Sequence, residues 1–183
     1  MTTIIIARFN ENIDWLLRYN NFNVVIYNKG KYLDNEGLGK IINLPNVGRE
    51  SHTWLYHIVS NYENLDEVNI FLQGRIDDLG VLAYQDVNEY LNECMIKGFS
   101  VRRFGILGPF HWSKYLGLQN NSKYRKNIIH KSLKKPEISF KELAQTFIDK
   151  IPLFTITSYG GCFAVSKELI KQHKISLYKE LLD

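Results

Sequence analysis

Short apolar runs set between helix-spaced stretches organise this chain. Thr3 to Arg8 is a β-branched run that stays uncharged until Arg8, as a buried strand does. Asn23 to Tyr27 (NVVIY) and Val68 to Leu72 (VNIFL) repeat the pattern, apolar on both faces like strands of a covered parallel sheet. Trp15 and Leu16 predict the inner face of a helix over 13–19, capped by Asn10 or Asn12. Thr53, Trp54, His57, Ile58 and Asn61 recur at helical spacing and predict a helix over 50–62. Further helices are predicted over 85–97, 140–150 with Ser139 as cap, and 177–182. IINLPNVG is a short extended piece turning at Pro45 to Gly48, and 102–112 is a strand or extended segment. The polar stretch 117–135 reads mostly as loop, and LFTITSYGGCFAVSKELI as an extended run, a Gly-Gly turn, a short strand and a helix.

Strands alternating with helices predict an α/β protein with a mostly parallel central sheet, flanked by helices and joined by right-handed crossovers. A length of 183 residues predicts a single domain over 1–183. Hydrophobic residues at 45% and charged residues at 23% fit a soluble globular chain. No stretch is long enough to span a bilayer, and the run Ile4 to Ala7 is too short for a signal-peptide core. The two cysteines, Cys94 and Cys162, lie far apart without metal-ligand neighbours and read as reduced. Together these predict a cytoplasmic protein.

A net charge of +4 favours anionic ligands without demanding nucleic acid. The most basic stretch, Lys123 to Lys135, reads first as a solvated face. There is no RGG tract, zinc-finger spacing or RNA-recognition aromatic pattern, so nucleic acid is disfavoured as a partner. Eleven Tyr and ten Phe fit core packing first and a sugar- or base-binding surface second.

Ligands of parallel α/β sheets bind beyond the carboxyl ends of the strands. The informative residues fall there: Arg8, Asn10 and Glu11; Asn28, Lys29 and Gly30; Gln73 to Asp78; and the turn before the Glu50 helix. Asp77 and Asp78 suit Mg or Mn bridging two phosphates, or else cap a helix or stay solvated. Gly48 allows close backbone approach, the helix start offers free N–H groups, and Arg49 can fork onto a phosphate. The plainer reading has Ser51 or Asn46 capping and Glu50 complementing the helix dipole. His52 sits at the helix mouth, too far from His57 to share one metal. GPFHWSKY places His111, Trp112 and Tyr115 on one loop, suited to a sugar ring or to pinning the loop itself. Gly160 and Gly161 pass close to a ligand or make a turn. The phosphate loop, G-x-G-x-x-G, H-E-x-x-H and G-x-S-x-G motifs are all missing, which removes the common nucleotide hydrolases, dinucleotide enzymes, zinc proteases and serine esterases.

The blocks IIIARFNENIDWL, NVGRESHTWLYHIVSNY, VNIFLQG and GGCFAVSKELI resemble, over nearly the whole chain, a domain family of unknown function. Its signature runs A-R-Y-x-E, N-x-G-R-E-S-H-T-Y-L, F-L-Q-G and G-G-x-F-A-V-S. That family in turn resembles the GT-A glycosyltransferases. Phe9-Asn10 match the Tyr-Asn turn that meets the base there, and Asn46, Gly48 and the following helix match an N-x-G block. IFLQGRIDD matches the D-x-D strand end loosely: Gln73 stands at the first acidic position, and the acids arrive at Asp77 and Asp78. Strand two ends in Tyr27-Asn28 where many relatives carry acids, so the metal is held differently or is replaced by Arg49, Arg75 or Lys29.

The resemblance implies a GT-A-like fold, with a nucleotide-binding half about 1–80 and an acceptor-side half about 81–183. It implies transfer of sugar from a UDP- or GDP-type nucleoside diphosphate sugar to a glycan or other hydroxyl acceptor. Arg8, Asn10, Glu11, Asn28, Arg49, Gln73 and Arg75 would bind the nucleotide-sugar, and Asp77 and Asp78 the Mn or Mg. Trp112, Gly160 and Gly161 would face the acceptor. Glu50, His52 and His111 are the candidates for the base that takes the acceptor proton. The alternatives are a non-catalytic nucleotide- or glycan-binding domain of the same fold, and RNA binding through Lys123 to Lys135.

Overall fold

The structure is a computed structural model that describes residues 1–34, 37–76, 86–101, 104–107, 140–145, 150–158 and 161–183. The chain divides into two compact units, Met1–Arg103 with Ser158–Asp183, and Phe104–Thr157. In chain order the strands are β1 (Thr2–Arg8), β2 (Asn23–Asn28), β3 (Lys40–Asn43), β4 (Val68–Gln73), β5 (Phe99–Val101), β6 (Phe104–Leu107), β7 (Thr155–Ser158) and β8 (Phe163–Ser166). The longer helices are α1 (Arg49–Asn61) and α2 (Val87–Lys97). Short helices cover Lys167–Ile170 and Ile175–Leu182. The Phe104–Thr157 unit holds the helix Phe140–Gln145, and β6 pairs with β7.

The main sheet has six strands in the order β3-β2-β1-β4-β8-β5. β3, β2, β1 and β4 are mutually parallel, whereas β8 runs antiparallel to both β4 and β5. The expected mixed α/β protein with a mostly parallel, helix-flanked sheet is present. The difference is the reversed strand β8, which the chain reaches without a parallel crossover.

Alternation along the buried strands divides the core into two layers. Ile4, Ile6, Val24, Ile26, Ile70 and Leu72 face one side and pack with Leu16, Val87, Tyr90 and Cys94. Ile5, Tyr27 and Phe71 face the other and pack with Trp54 and Ile58 of α1 and Ile170. Ile4, Ile5 and Ile6 are wholly buried, so each is worth roughly 1.5–3 kcal/mol of apolar burial. That explains why a run of three isoleucines is continuous rather than alternating.

The predicted helix over 13–19 is a 3-10 helix, Asp14–Tyr19, and Asn12 Oδ1 accepts from the Asp14 N–H at 2.8 Å just before it. So short a piece gains little from α-helical propagation. α2 shows clear ends: Asp86 Oδ1 accepts from the Asn88 N–H at 2.9 Å, and Gly98 closes the helix at φ 74°. Ser139 lies outside the described residues.

Under α1, the Tyr27 hydroxyl lies 3.0 Å from His57 Nδ1 in a buried contact. Burial pushes His57 down to about 4, against the pull of Asn69 and Asp66. The unfolded chain takes up this proton near the ordinary value of 6.5, so it binds more protons than the folded chain as pH falls. This stabilising increment is complete above the unfolded value and is lost towards the folded one. Between pH 7.5 and pH 4 the loss amounts to about 3 kcal/mol. His57→Gln keeps a hydrogen-bonding group that cannot charge. Urea unfolding across that pH range should show a flatter dependence for the variant than for wild type by that amount, and parallel curves would refute the assignment.

Candidate functional site

The parallel register brings the carboxyl ends of β1, β2 and β4 level: Arg8 stands beside Asn28, and Ala7 beside Gln73. The chain leaves β1 for β2 on one side, and β4 joins on the other. This is the switch point at which open α/β sheets form a crevice. Two adjoining cavities lie there. One, of about 600 Å³, is lined by Phe9, Asn10, Glu11, Asn12, Trp15, Arg75 and Ile76. The other, of about 380 Å³, includes Arg8, Lys29, Asn46, Arg49, Glu50 and Gln73, and shares Phe9, Glu11 and Arg75 with the first.

Two buried cations hold the loops around the crevice. Arg8 donates from Nε to the Glu11 carbonyl at 3.0 Å, and from an Nη to Asn28 Oδ1 at 2.7 Å and the Lys31 carbonyl at 3.2 Å. Asn28 Nδ2 adds bonds to the Lys31 carbonyl at 3.0 Å and to Asn43 Oδ1 at 3.1 Å. Lys29 Nζ donates to the carbonyls of Val47, at 2.7 Å, and Arg49. These carbonyls bracket Gly48 and Arg49, which both have left-handed backbone, at φ 57° and 49°. A non-glycine residue in that region is strained, and the Lys29 ammonium offsets the strain from below. Burial lowers the Lys29 pKa, and nearby Glu50 opposes the shift. Lys29 thus spends two of its three donors on backbone, which weakens its candidacy as a substitute for a metal.

Glu11 is also fixed: its Oε2 accepts from the N–H groups of Phe9 at 2.6 Å and Asn10 at 3.1 Å. Asn10 Oδ1 accepts from the Lys31 N–H at 2.8 Å, which leaves its Nδ2 as the donor end. Trp15 Nε1 donates to the Gly74 carbonyl at 3.0 Å and so seats the indole in the cavity wall. Two glycines allow the close packing of these loops. A Cβ on Gly30 would fall 1.3 Å from the Phe9 carbonyl oxygen, and one on Gly74 would fall 2.9 Å from Glu11 Oε2.

Of the base candidates, Glu50 lines the crevice and accepts from Gln73 Nε2 at 3.4 Å. Gly161 completes this corner: a Cβ there would lie 3.2 Å from Glu50 Cγ and 3.4 Å from Gln73 Nε2. His52 lies outside the lining of both cavities and stacks on Tyr56 at 6.2 Å. Burial and the Lys29 charge lower its pKa. Arg49 and Arg75 are exposed at the mouth. Asp77, Asp78, His111, Trp112, Gly160 and the stretch Lys123 to Lys135 lie outside the described residues. The structure therefore gathers Arg8, Asn10, Glu11, Arg49, Glu50, Gln73 and Arg75 around one crevice, with Asn28 behind it. Phe9, Trp15, Asn12 and Asn46 join the lining. Sequence pattern assigned Trp15 to a core face because its period matches the fold, and the crevice contact depends on the turn at Gly74.

Among the described residues no three His, Cys, Asp or Glu side chains come together as a metal would require. The described carboxylates at the crevice are Glu11 and Glu50, and Glu11 already accepts two backbone N–H groups. They do not make an ion site by themselves. Also among the described residues, no helix is long and apolar enough to cross a membrane.

Fold and crevice define an α/β protein with two adjoining cavities at the strand ends of its main sheet. The chain belongs to the family described as "Protein of unknown function (DUF3431)", matched over residues 4–183. No curated protein matches it. Similar solved structures include CMP:2-keto-3-deoxy-manno-octonic acid synthetase complexed with CTP, at 10% identity over 99% of this chain and 81% of that one, TM-score 0.41. Another is HddC from Yersinia pseudotuberculosis, at 10% identity over 94% of this chain and 79% of that one, TM-score 0.41.

Removing the Lys29 ammonium leaves two carbonyls without their charged donor. Lys29→Met should cost about 2 kcal/mol of unfolding free energy. It should also speed amide exchange over 49–52 relative to the rest of α1. Unchanged exchange there would show that the ammonium does not hold the start of the helix.

Proposed function

We propose that the chain is a GT-A-like glycosyltransferase that moves a sugar from a nucleoside diphosphate sugar to the hydroxyl of a glycan or similar acceptor. One observation carries the reading: an aromatic-walled cavity adjoins a cation-lined one at the switch point between β1 and β4. A nucleoside diphosphate sugar has the same two-part chemistry. Its base suits the faces of Phe9 and Trp15, with Asn10 Nδ2 and Glu11 Oε1 available to its polar edge. Its diphosphate suits Arg49 and Arg75, whose charge stabilises the leaving group as the bond from the sugar's anomeric carbon to the phosphate oxygen breaks. Glu50 then takes the proton of the acceptor hydroxyl as the new glycosidic bond forms. Gln73 orients the Glu50 carboxylate, and Gly161 leaves room beside it. Mn or Mg, if bound, would belong to Asp77 and Asp78.

Gln73 favours a second reading. A neutral amide stands where the resemblance expects the first metal-binding acid, which suits a crevice that binds without transferring.

Thermal unfolding with a panel of nucleoside diphosphates and their sugars, with and without Mn, tests the site. A nucleotide at 100 times its Kd stabilises by about 2.7 kcal/mol, or roughly 5–10 °C for a domain of this size. Arg49→Ala and Arg75→Ala should each reduce that shift. Glu50→Gln should keep the shift and abolish sugar transfer to acceptor. A shift without transfer in wild type would support the binder, and no shift with any nucleotide would refute both readings.

A further inference from the structure

Arg49, in the wall of the second cavity, has a backbone conformation that its side chain disfavours. Its φ is 49°, and among the described residues it is the one non-glycine with positive φ. Such a residue persists where its surroundings over-determine it, as at ligand clamps. Three contacts do so here. The Gly48 carbonyl accepts from the His52 N–H at 3.1 Å, which opens α1. The Val47 and Arg49 carbonyls, on either side of it, both accept from Lys29 Nζ. Gly48, at φ 57°, leaves no room for a side chain, since a Cβ there would fall 2.7 Å from His52 Cβ.

Starting a helix does not require this arrangement. α2 begins from Asp86 in extended backbone, with the Asp86 side chain as its cap. No side chain caps α1, and a buried ammonium braces its entry instead. What the left-handed turn does decide is where the guanidinium goes. Returning Arg49 to the ordinary helical φ of about −63° would turn its Cβ by about 110° around the N–Cα bond. As the backbone stands, Arg49 lines the cavity with Arg8, Lys29, Glu50, Gln73 and Arg75.

We propose that Lys29 is a positioning residue: its ammonium locks the left-handed turn at Arg49, and the turn aims the Arg49 guanidinium at the diphosphate of the ligand. The inference rests on the nucleotide-binding reading above and adds which residue prepares the anion clamp before the ligand arrives. A guanidinium held in place beforehand loses less freedom on binding, so strain borne by the free protein appears as affinity for the anion.

Inorganic pyrophosphate, titrated into the full chain at fixed ionic strength, reads the clamp. Arg49→Ala and Arg49→Gly should each weaken binding about tenfold or more. They should differ in stability: glycine accepts left-handed backbone, so Arg49→Gly should unfold roughly 2–4 °C above Arg49→Ala. Lys29→Met should weaken binding to a similar extent in the wild-type background and cause no further loss in the Arg49→Ala background. The coupling between the Arg49 amide proton and Hα, which reports φ, should move to its helical value in Lys29→Met. A coupling that stays put would overturn the proposal. Equal midpoints for Arg49→Gly and Arg49→Ala would show that no strain is held there and would also overturn it, and this comparison stands even if Lys29→Met does not fold. An equal loss from Lys29→Met in both backgrounds would mean that the ammonium meets the anion directly. That result would overturn the positioning role and leave the nucleotide-binding reading standing, whereas a wild type that binds no pyrophosphate would overturn both.

Discussion

Parallel pairing of β1 with both of its neighbours is the constraint on which everything else rests. A parallel ladder cannot be closed by a tight turn, so the chain must cross over between strands. It does so through the 3-10 helix between β1 and β2 and through α1 between β3 and β4. Those crossovers cover opposite faces of the sheet, and β1 becomes apolar on both sides. They also deliver the loops that follow β1, β2 and β4 to the same edge. The crevice is therefore a consequence of topology, and side chains decide only what it binds.

That edge contains two cations with few countercharges, and backbone carbonyls resolve the difficulty. A buried charge is tolerated when its donors are matched, whether or not the partner is formally charged. Arg8 finds the carbonyls of Glu11 and Lys31 with Asn28 Oδ1, and Lys29 finds those of Val47 and Arg49. Each cation crosses between loops that are far apart in sequence, so each works as a strut. The positive potential of these struts persists beside the exposed Arg49 and Arg75. The struts therefore share one cavity wall with those two guanidinium groups and with the carboxylates of Glu11 and Glu50.

What the sequence disclosed follows from which interactions are local. The apolar runs at Thr3, Asn23 and Val68 and the helical period from Thr53 to Ile58 identify β1, β2, β4 and α1 because each depends on its own periodicity. The strand-end rule then directed attention to Arg8, Asn10, Glu11, Arg49, Glu50, Gln73 and Arg75. Direction of pairing is a tertiary property, so FAVS identifies a strand without disclosing that β8 is reversed. Lys29 illustrates the same limit. In NKG it marks a turn, and its grip on the carbonyls of Val47 and Arg49 depends on a loop some twenty residues away. His52 and Glu50 are nearly adjacent in sequence, yet the helical rotation between them takes one ring out of the crevice lining and leaves one carboxylate in it.

The two ends of the sheet show how the same strands support opposite polarities. At the carboxyl ends, Arg8, Lys29, Arg49 and Arg75 line a cavity together with Glu11 and Glu50. At the amino ends, the amides of Asn23, Asn61 and Asn69 spend their nitrogens on oxygen acceptors, and Asn69 also hydrogen-bonds the His57 ring. Neither polarity follows from net charge, which is only +4 for the whole chain. Each follows from which end of a side chain a neighbouring group has already claimed. Asparagine is well suited to both roles, since one amide carries donor and acceptor, and whichever the fold uses determines the one it presents.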